Sequence, residues 1–239
     1  ALGLIHASRY GLSETELLDA LSQDAEFFDA HEQTTHHELS ESRLPIAVWS
    51  RFYLDLEPYL VEREAQGVVV LDFFHRELRE AIGARYGDHG QARLRHRQLA
   101  SYFGQQPNYL DSAESQPNGR RLGELPYQQL HGEEWDGLVE TLTSFDLLMA
   151  TCRAELQEQL VDDLHQVGEP SKTRGLDRLT TLSDFFRSNG PLLKGSHVIG
   201  RADHALLQLA LEDASRPSAI RESARVWLSE RAEPLVHLY

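Results

Sequence analysis

The chain has 239 residues, a formal net charge of −15, 41% hydrophobic and 26% charged residues. That is the make-up of an ordinary globular protein with enough chain for one large domain or two small ones, able to bury a core without staples. The acidic balance argues against a phosphate-tracking nucleic-acid surface. Cys152 is the single cysteine and excludes an internal disulfide framework, so a reducing compartment is the default.

In chain order, residues 1–8 form a short apolar helix that Gly11 ends. Ser13 opens a second helix, with Glu16 three residues on as its capping-box partner and Leu17, Leu18 and Leu21 as its buried stripe. Residues 27–42 are polar and rich in His, Glu and Thr, a short helix followed by a loop. Pro45 then starts a strong helix. Its wide apolar face (Ile46, Val48, Trp49, Phe52, Tyr53, Leu56) predicts the central helix of a first module.

Pro58 breaks that helix, and residues 59–63 are the candidate partner for a second strand. The stretch 67–82, GVVVLDFFHRELREAI, changes period within a few residues. A β-branched run at Val68–Val70 gives way to Phe74, Leu78, Ala81 and Ile82 at helical spacing. His75 lies at that strand-to-helix corner. Several helices and a small sheet are compatible with a winged helix.

Beyond residue 88 no strand is expected. Residues 91–103 are helical, with Leu94, Leu99, Tyr102 and Phe103 on one side and arginines on the other. Residues 105–118 form an exposed polar connection. Helices follow over 121–130, 135–142, 145–150 and 154–167, the grammar of helical hairpins, although no repeat period holds over three units. Residues 168–175 are a linker. Beyond it come a helix over 176–187 that Gly190-Pro191 stops, and two more over 202–211 and 219–230. The fold class is mainly α: a winged-helix module with a small β component over 1–87, a helical-hairpin domain over 88–167 and a helical connector over 168–239. There is no secretory signal, and no apolar run approaches the roughly 18 residues of a membrane span. The chain begins on an apolar, helix-like stretch without Met, and we expect a piece of a longer protein.

The motifs of common chemistry are absent: no GxxxxGK[ST] phosphate loop, GxSxG, HExxH or CxxC occurs. We assign no catalytic residue and no metal ligand. His31, His36 and His37 with Glu32 and Glu38 do not share a helical face, and a solvated loop is the better reading. The pairs Glu133-Glu134 and Asp162-Asp163 sit on exposed helix faces, where adjacent carboxylates point apart. Trp49, Phe52, Tyr53 and Trp135 are core. For His75 two readings stand: a structural histidine at a helix start, and one aimed from a helix N-terminus at an anion, which the free N–H groups and dipole there also favour.

The order of pieces is more specific than any one of them. GLSETELLDAL, LPIAVWSRFYLDLEPYLVERE, VVVLDFFHRELREAIGARY, LASYF and RLGELPYQQLHGEEWDGLVETLTSFDLLMA resemble the region that follows the nucleotide-binding domain in STAND-type signalling ATPases of the NACHT and NB-ARC kind. There a winged helix precedes a helical domain. LSDFFRSNGPLLKGSHVI and HALLQLALEDASRPSAIRESARVWL resemble the helical connector before a WD-repeat propeller in such proteins. The family's winged helix carries a Met-His-Asp motif whose histidine contacts the β-phosphate of ADP in the closed state. Phe74-His75-Arg76 matches that position with only the histidine identical, which removes the internal contact the aspartate usually makes.

The resemblance implies a non-catalytic regulatory segment of a cytoplasmic multidomain NTPase. His75 would be its nucleotide-sensing residue. The segment would hold no cofactor itself, with ADP or ATP bound elsewhere in the parent. Its partners would be the nucleotide-binding and C-terminal sensor domains of the same chain, an oligomer forming on activation, and neither membrane nor nucleic acid. Two other classes remain: a winged-helix DNA-binding regulator with a helical ligand or dimerisation domain, and a helical-repeat scaffold for protein partners. Burial of the helix after Pro45 would oppose the first of these.

Overall fold

A computed structural model describes residues 1–24, 44–86, 88–167, 176–197, 202–213 and 218–231. The polar stretch with His31, His36 and His37, the linker 168–175 and the C-terminal tail lie outside the described residues. The described chain is mainly α with one small sheet. It divides into two compact units, residues 1–106 with 127–134, and residues 107–126 with 135–239.

In the first unit, helix α1 (Leu2–Ala7) buries Leu4, Ile5 and Ala7 and is the hub. Strand β2 (Val68–Phe73), helix α4 (Arg76–Tyr86) and helix α5 (His89–Gly104) all pack on it. Helix α2 (Glu14–Ser22) carries the expected capping box: Ser13 Oγ accepts from the Glu16 N–H at 3.2 Å, and the Glu16 carboxylate accepts from the Ser13 N–H at 2.8 Å. Between α1 and α2, Leu12 bridges to Leu71 through two backbone hydrogen bonds of 2.8 and 3.2 Å, a one-residue third strand on β2. Gly11 makes that approach feasible. Its φ is +95°, and a Cβ there would run into the Leu71 carbonyl oxygen.

Strand β1 (Leu60–Ala65) pairs antiparallel with β2, from Leu60 opposite Phe73 to Ala65 opposite Val68. The two-residue turn Gln66-Gly67 has φ of 49° and 77°, the double positive φ whose twist suits a tight hairpin.

Two expectations for this unit need correcting. Helix α3 (Ile46–Leu56) is not its central helix. Trp49 is buried, but Phe52, Tyr53 and Leu56 are half-buried and Ile46 and Leu54 are exposed. Hydrophobic spacing says which residues share a face, and α1 has taken the central place instead. The objection to DNA binding that rested on burial of α3 therefore falls. In the first half of α5 the buried side is also not the predicted one. Leu94 is exposed, while Arg93 and Arg95 are half-buried because they reach Glu133 at 2.7 Å and Asp24 at 3.5 Å. Arg97 donates to the Gly132 carbonyl oxygen at 2.8 Å. The arginine run is thus spent largely on internal contacts.

Helix α6 (Gly119–His131) carries Pro126 inside it and contributes to both units. The second unit is an array of neighbouring helices: α7 (Trp135–Thr143), α8 (Phe145–Arg153), α9 (Gln157–Gln166), α10 (Leu176–His197), α11 (Ala202–Glu212) and α12 (Ala219–Glu230). Gly190-Pro191 does not stop α10, which runs on to His197. Proline forfeits one backbone bond to Arg187. Packing against α7, α9 and α11, with Leu193 fully buried beyond the proline, holds the helix through it.

The polar segment at 107–118 is folded rather than a bare connection. Leu110 donates to the Gln116 carbonyl and Asn118 to that of Asn108, both at 2.8 Å, and Tyr109 is buried. Arg231 after α12 fixes it, reaching Glu114 at 2.8 Å and Asp146 at 2.8 Å. Asp163 is buried while Asp162 is exposed, so that pair does diverge, but not on an exposed face. Glu133 and Glu134 lie in the turn between α6 and α7 and are half-buried. Trp135 is half-buried rather than core.

Candidate functional site

The corner between β2 and α4 is built from its backbone outward. Phe73 closes the strand, and the Phe74 N–H donates to the Tyr59 carbonyl at 2.9 Å. That bond carries the hairpin pairing one residue past the strand end. Asp72, 8% exposed, turns its carboxylate back onto the corner. It accepts from the Phe73 N–H at 2.7 Å and from the Arg79 guanidinium one turn into α4. The Arg79 N–H in turn donates to the His75 carbonyl at 3.3 Å, and its guanidinium lies 5.5 Å over the Phe73 ring. Residues 72–79 are therefore tied from both ends, and His75 is held at the start of α4 by its main chain.

Its side chain is presented outward. His75 is exposed, and Phe74 beside it is 60% exposed, their rings edge-on at 4.6 Å. Among the described residues no hydrogen-bond or ion-pair partner approaches the imidazole. Arg76, which stands where the resembled motif has aspartate, points away and pairs with Glu80 at 2.6 Å. The carboxylate contact seen at this corner is that of Asp72, three residues before His75. The arrangement leaves an imidazole and the free N–H groups of a helix start open to an anion from outside.

Sequence reasoning missed a second cluster in the same unit. The His96 Nδ1 atom lies 2.7 Å from Gln128 Oε1, and Gln128 Nε2 donates to the Ala7 carbonyl at 3.1 Å. His131 stacks 5.2 Å from His96 and 4.3 Å from Tyr127, over which Arg9 sits at 5.2 Å. His6 packs its ring against the backbone at Gly83. Burial holds His96 down to about 4, against the hydrogen bond that Gln128 Oε1 accepts from it and with help from His131 and His6. Burial and then Arg79 lower His6, and burial and then Arg9 lower His131. These are neutral packing histidines. Residues so far apart in sequence carry no local signal of meeting. Among the described residues no group of three or more His, Cys, Asp or Glu side chains could hold a metal ion. Cys152 is buried, and burial followed by Asp203 pushes its thiol up to about 12, so it is no nucleophile.

No family model matches the chain, and no solved structure matches it. The relationship that does emerge is to a NACHT-type protein with WD repeats. The chain is 32% identical over 250 aligned residues to the human (Homo sapiens) protein named NACHT domain- and WD repeat-containing protein 1, an alignment covering 81% of this chain and 16% of that protein. It is also 32% identical over 178 residues to the Mus musculus protein of the same name, covering 64% of this chain and 11% of that protein. The chain thus spans about a sixth or less of the length of these relatives.

Proposed function

We propose that this chain is a non-catalytic regulatory segment of a multidomain STAND NTPase. It couples the nucleotide state of a NACHT domain in the same protein to a C-terminal WD-repeat sensor. In this reading the module from α1 to α4 is a winged helix. The order α1, Leu12 bridge, α2, α3 and β-hairpin supports that assignment. The helices of the second unit link it to the sensor, and the whole protein works in the cytoplasm and oligomerises on activation. The segment itself hydrolyses no nucleotide.

The observation that carries the proposal is His75: main chain tied down, side chain exposed and, among the described residues, with no hydrogen-bond or ion-pair partner, its one ring contact being the exposed Phe74 beside it. A structural histidine at a helix start would be expected to be buried or to pair with a polar group. This one offers its ring outward beside helix N–H groups, where a β-phosphate of ADP held by a neighbouring domain would find a donor. Loss of that contact frees the module to swing away, so ADP release and activation go together. In the full-length protein, His75→Ala lowers the ADP that co-purifies and raises basal signalling. Unchanged nucleotide content and activity would refute the assignment.

A further inference from the structure

Beyond the nucleotide-sensing reading, the first unit carries a second feature on a different face. Between α3, the start of α2 and the sheet lies an open groove of about 510 Å³. Its floor is apolar and fixed, made by buried Trp49 from α3 and buried Leu71 from β2. Its walls are apolar and open: Leu54 from the helix is 69% exposed and Val69 from the strand 58% exposed, and Tyr53 lines the groove with them. Clustered apolar side chains of this size, left in water across a groove with a rigid floor, mark an interaction surface more often than chance exposure does.

The rim is of one sign. Glu14 at the start of α2 and Glu62 on β1 line it. Burial and then Glu62, Glu57 and Glu14, in that order, hold the Tyr53 phenol above its ordinary value, so three carboxylates act at the middle of the wall. Among the described residues no Lys or Arg lines the groove. An apolar trough flanked by carboxylates suits one kind of occupant: a helix whose apolar stripe enters the trough and whose Lys or Arg residues reach the rim. An anionic membrane surface would be repelled by the same rim.

We propose that the groove between α3 and the hairpin docks a basic amphipathic helix of a protein partner. Leu54 and Val69 are its apolar walls, and Glu14 and Glu62 its specificity-setting rim.

The test is fluorescence anisotropy on the whole chain with a labelled Leu/Lys helical peptide of about 14 residues, roughly four turns. A Leu/Glu peptide of the same pattern is the comparator. The Leu/Lys peptide binds and the Leu/Glu peptide does not. Leu54→Asp and Val69→Asp each weaken binding about tenfold or more, whereas Leu54→Met retains it. Glu14→Lys with Glu62→Lys reverses the peptide preference. Leu192→Asp, at an exposed site on α10 in the other unit, leaves binding unchanged. Leu54 is a surface position, so its substitution leaves the circular dichroism spectrum intact. Any of four results overturns the proposal: no binding by the unaltered chain; binding that Leu54→Asp leaves equal or tighter, which marks plain charge attraction; a dimer that Leu54→Asp dissolves in sedimentation, which makes the occupant a second copy; or binding to phosphatidylserine vesicles that Leu54→Asp abolishes.

Discussion

Gly11 and Asp72 show how single residues hold the candidate corner in place. Gly11 lets the chain between α1 and α2 cross against the Leu71 carbonyl, and the Leu12–Leu71 bridge depends on it. A side chain at its φ of +95° costs about 1–3 kcal/mol in backbone strain before the clash with Leu71 is added. Gly11→Ala therefore lowers the urea midpoint of the first unit with little change in slope. An unchanged midpoint would mean that the bridge is dispensable. Asp72 ties the strand end to the first turn of α4 through the Phe73 N–H and Arg79. No residue spacing announced this, because its partner Arg79 is reached only once strand and helix fold back on each other.

At the scale of elements, what was legible in the sequence was local. The capping box at Ser13 and Glu16 and the change of period around His75 are each decided within a few residues, and each forms. What was not legible depended on neighbours distant in sequence. The apolar face of α3 says nothing about which element will cover it. Pro191 sits inside a helix because four other helices pack on that helix. The contacts of α5 with residues 128–133 gather His96, Gln128 and His131, which no motif foretells.

That last cluster has a consequence for pH. His96 is half-buried as the neutral ring, with a folded pKa of about 4, below the ordinary 6.5. As pH falls, the unfolded chain takes up the proton first. The stability held by the neutral ring is complete above about 6.5 and drains away from there towards about 4, where the slope vanishes. His6 and His131 are lowered as well and act in the same direction. Thermal midpoints measured from pH 8 to 4 fall over this window, and His96→Gln makes the fall shallower. An identical slope in the variant would show that His96 does not carry it.

For the whole molecule, charge and placement argue against the DNA-binding class even though α3 is not central. The chain carries −15, the outward side of α3 and the turn after it offer Arg51 against Asp55 and Glu57, and Arg93, Arg95 and Arg97 are engaged internally. A reading helix needs exposed basic side chains aimed at phosphates and base edges. Duplex DNA therefore shows no tight, salt-sensitive binding even at low salt. Affinity that falls steeply with added salt would return the molecule to the regulator class. Among the described residues no helix is long and apolar enough to cross a membrane.

The central claim is that His75 acts across an interface on a nucleotide that other residues hold. The direct measurement is the release rate of labelled ADP from the full-length protein, comparing the unaltered form with His75→Ala and with His165→Ala, an exposed histidine on α9 of the second unit. A lost charge-assisted contact of about 1.5–3 kcal/mol predicts release faster by roughly ten- to a hundredfold for His75→Ala. His165→Ala is predicted to match the unaltered protein. Release from His75→Ala at the unaltered rate would contradict the account.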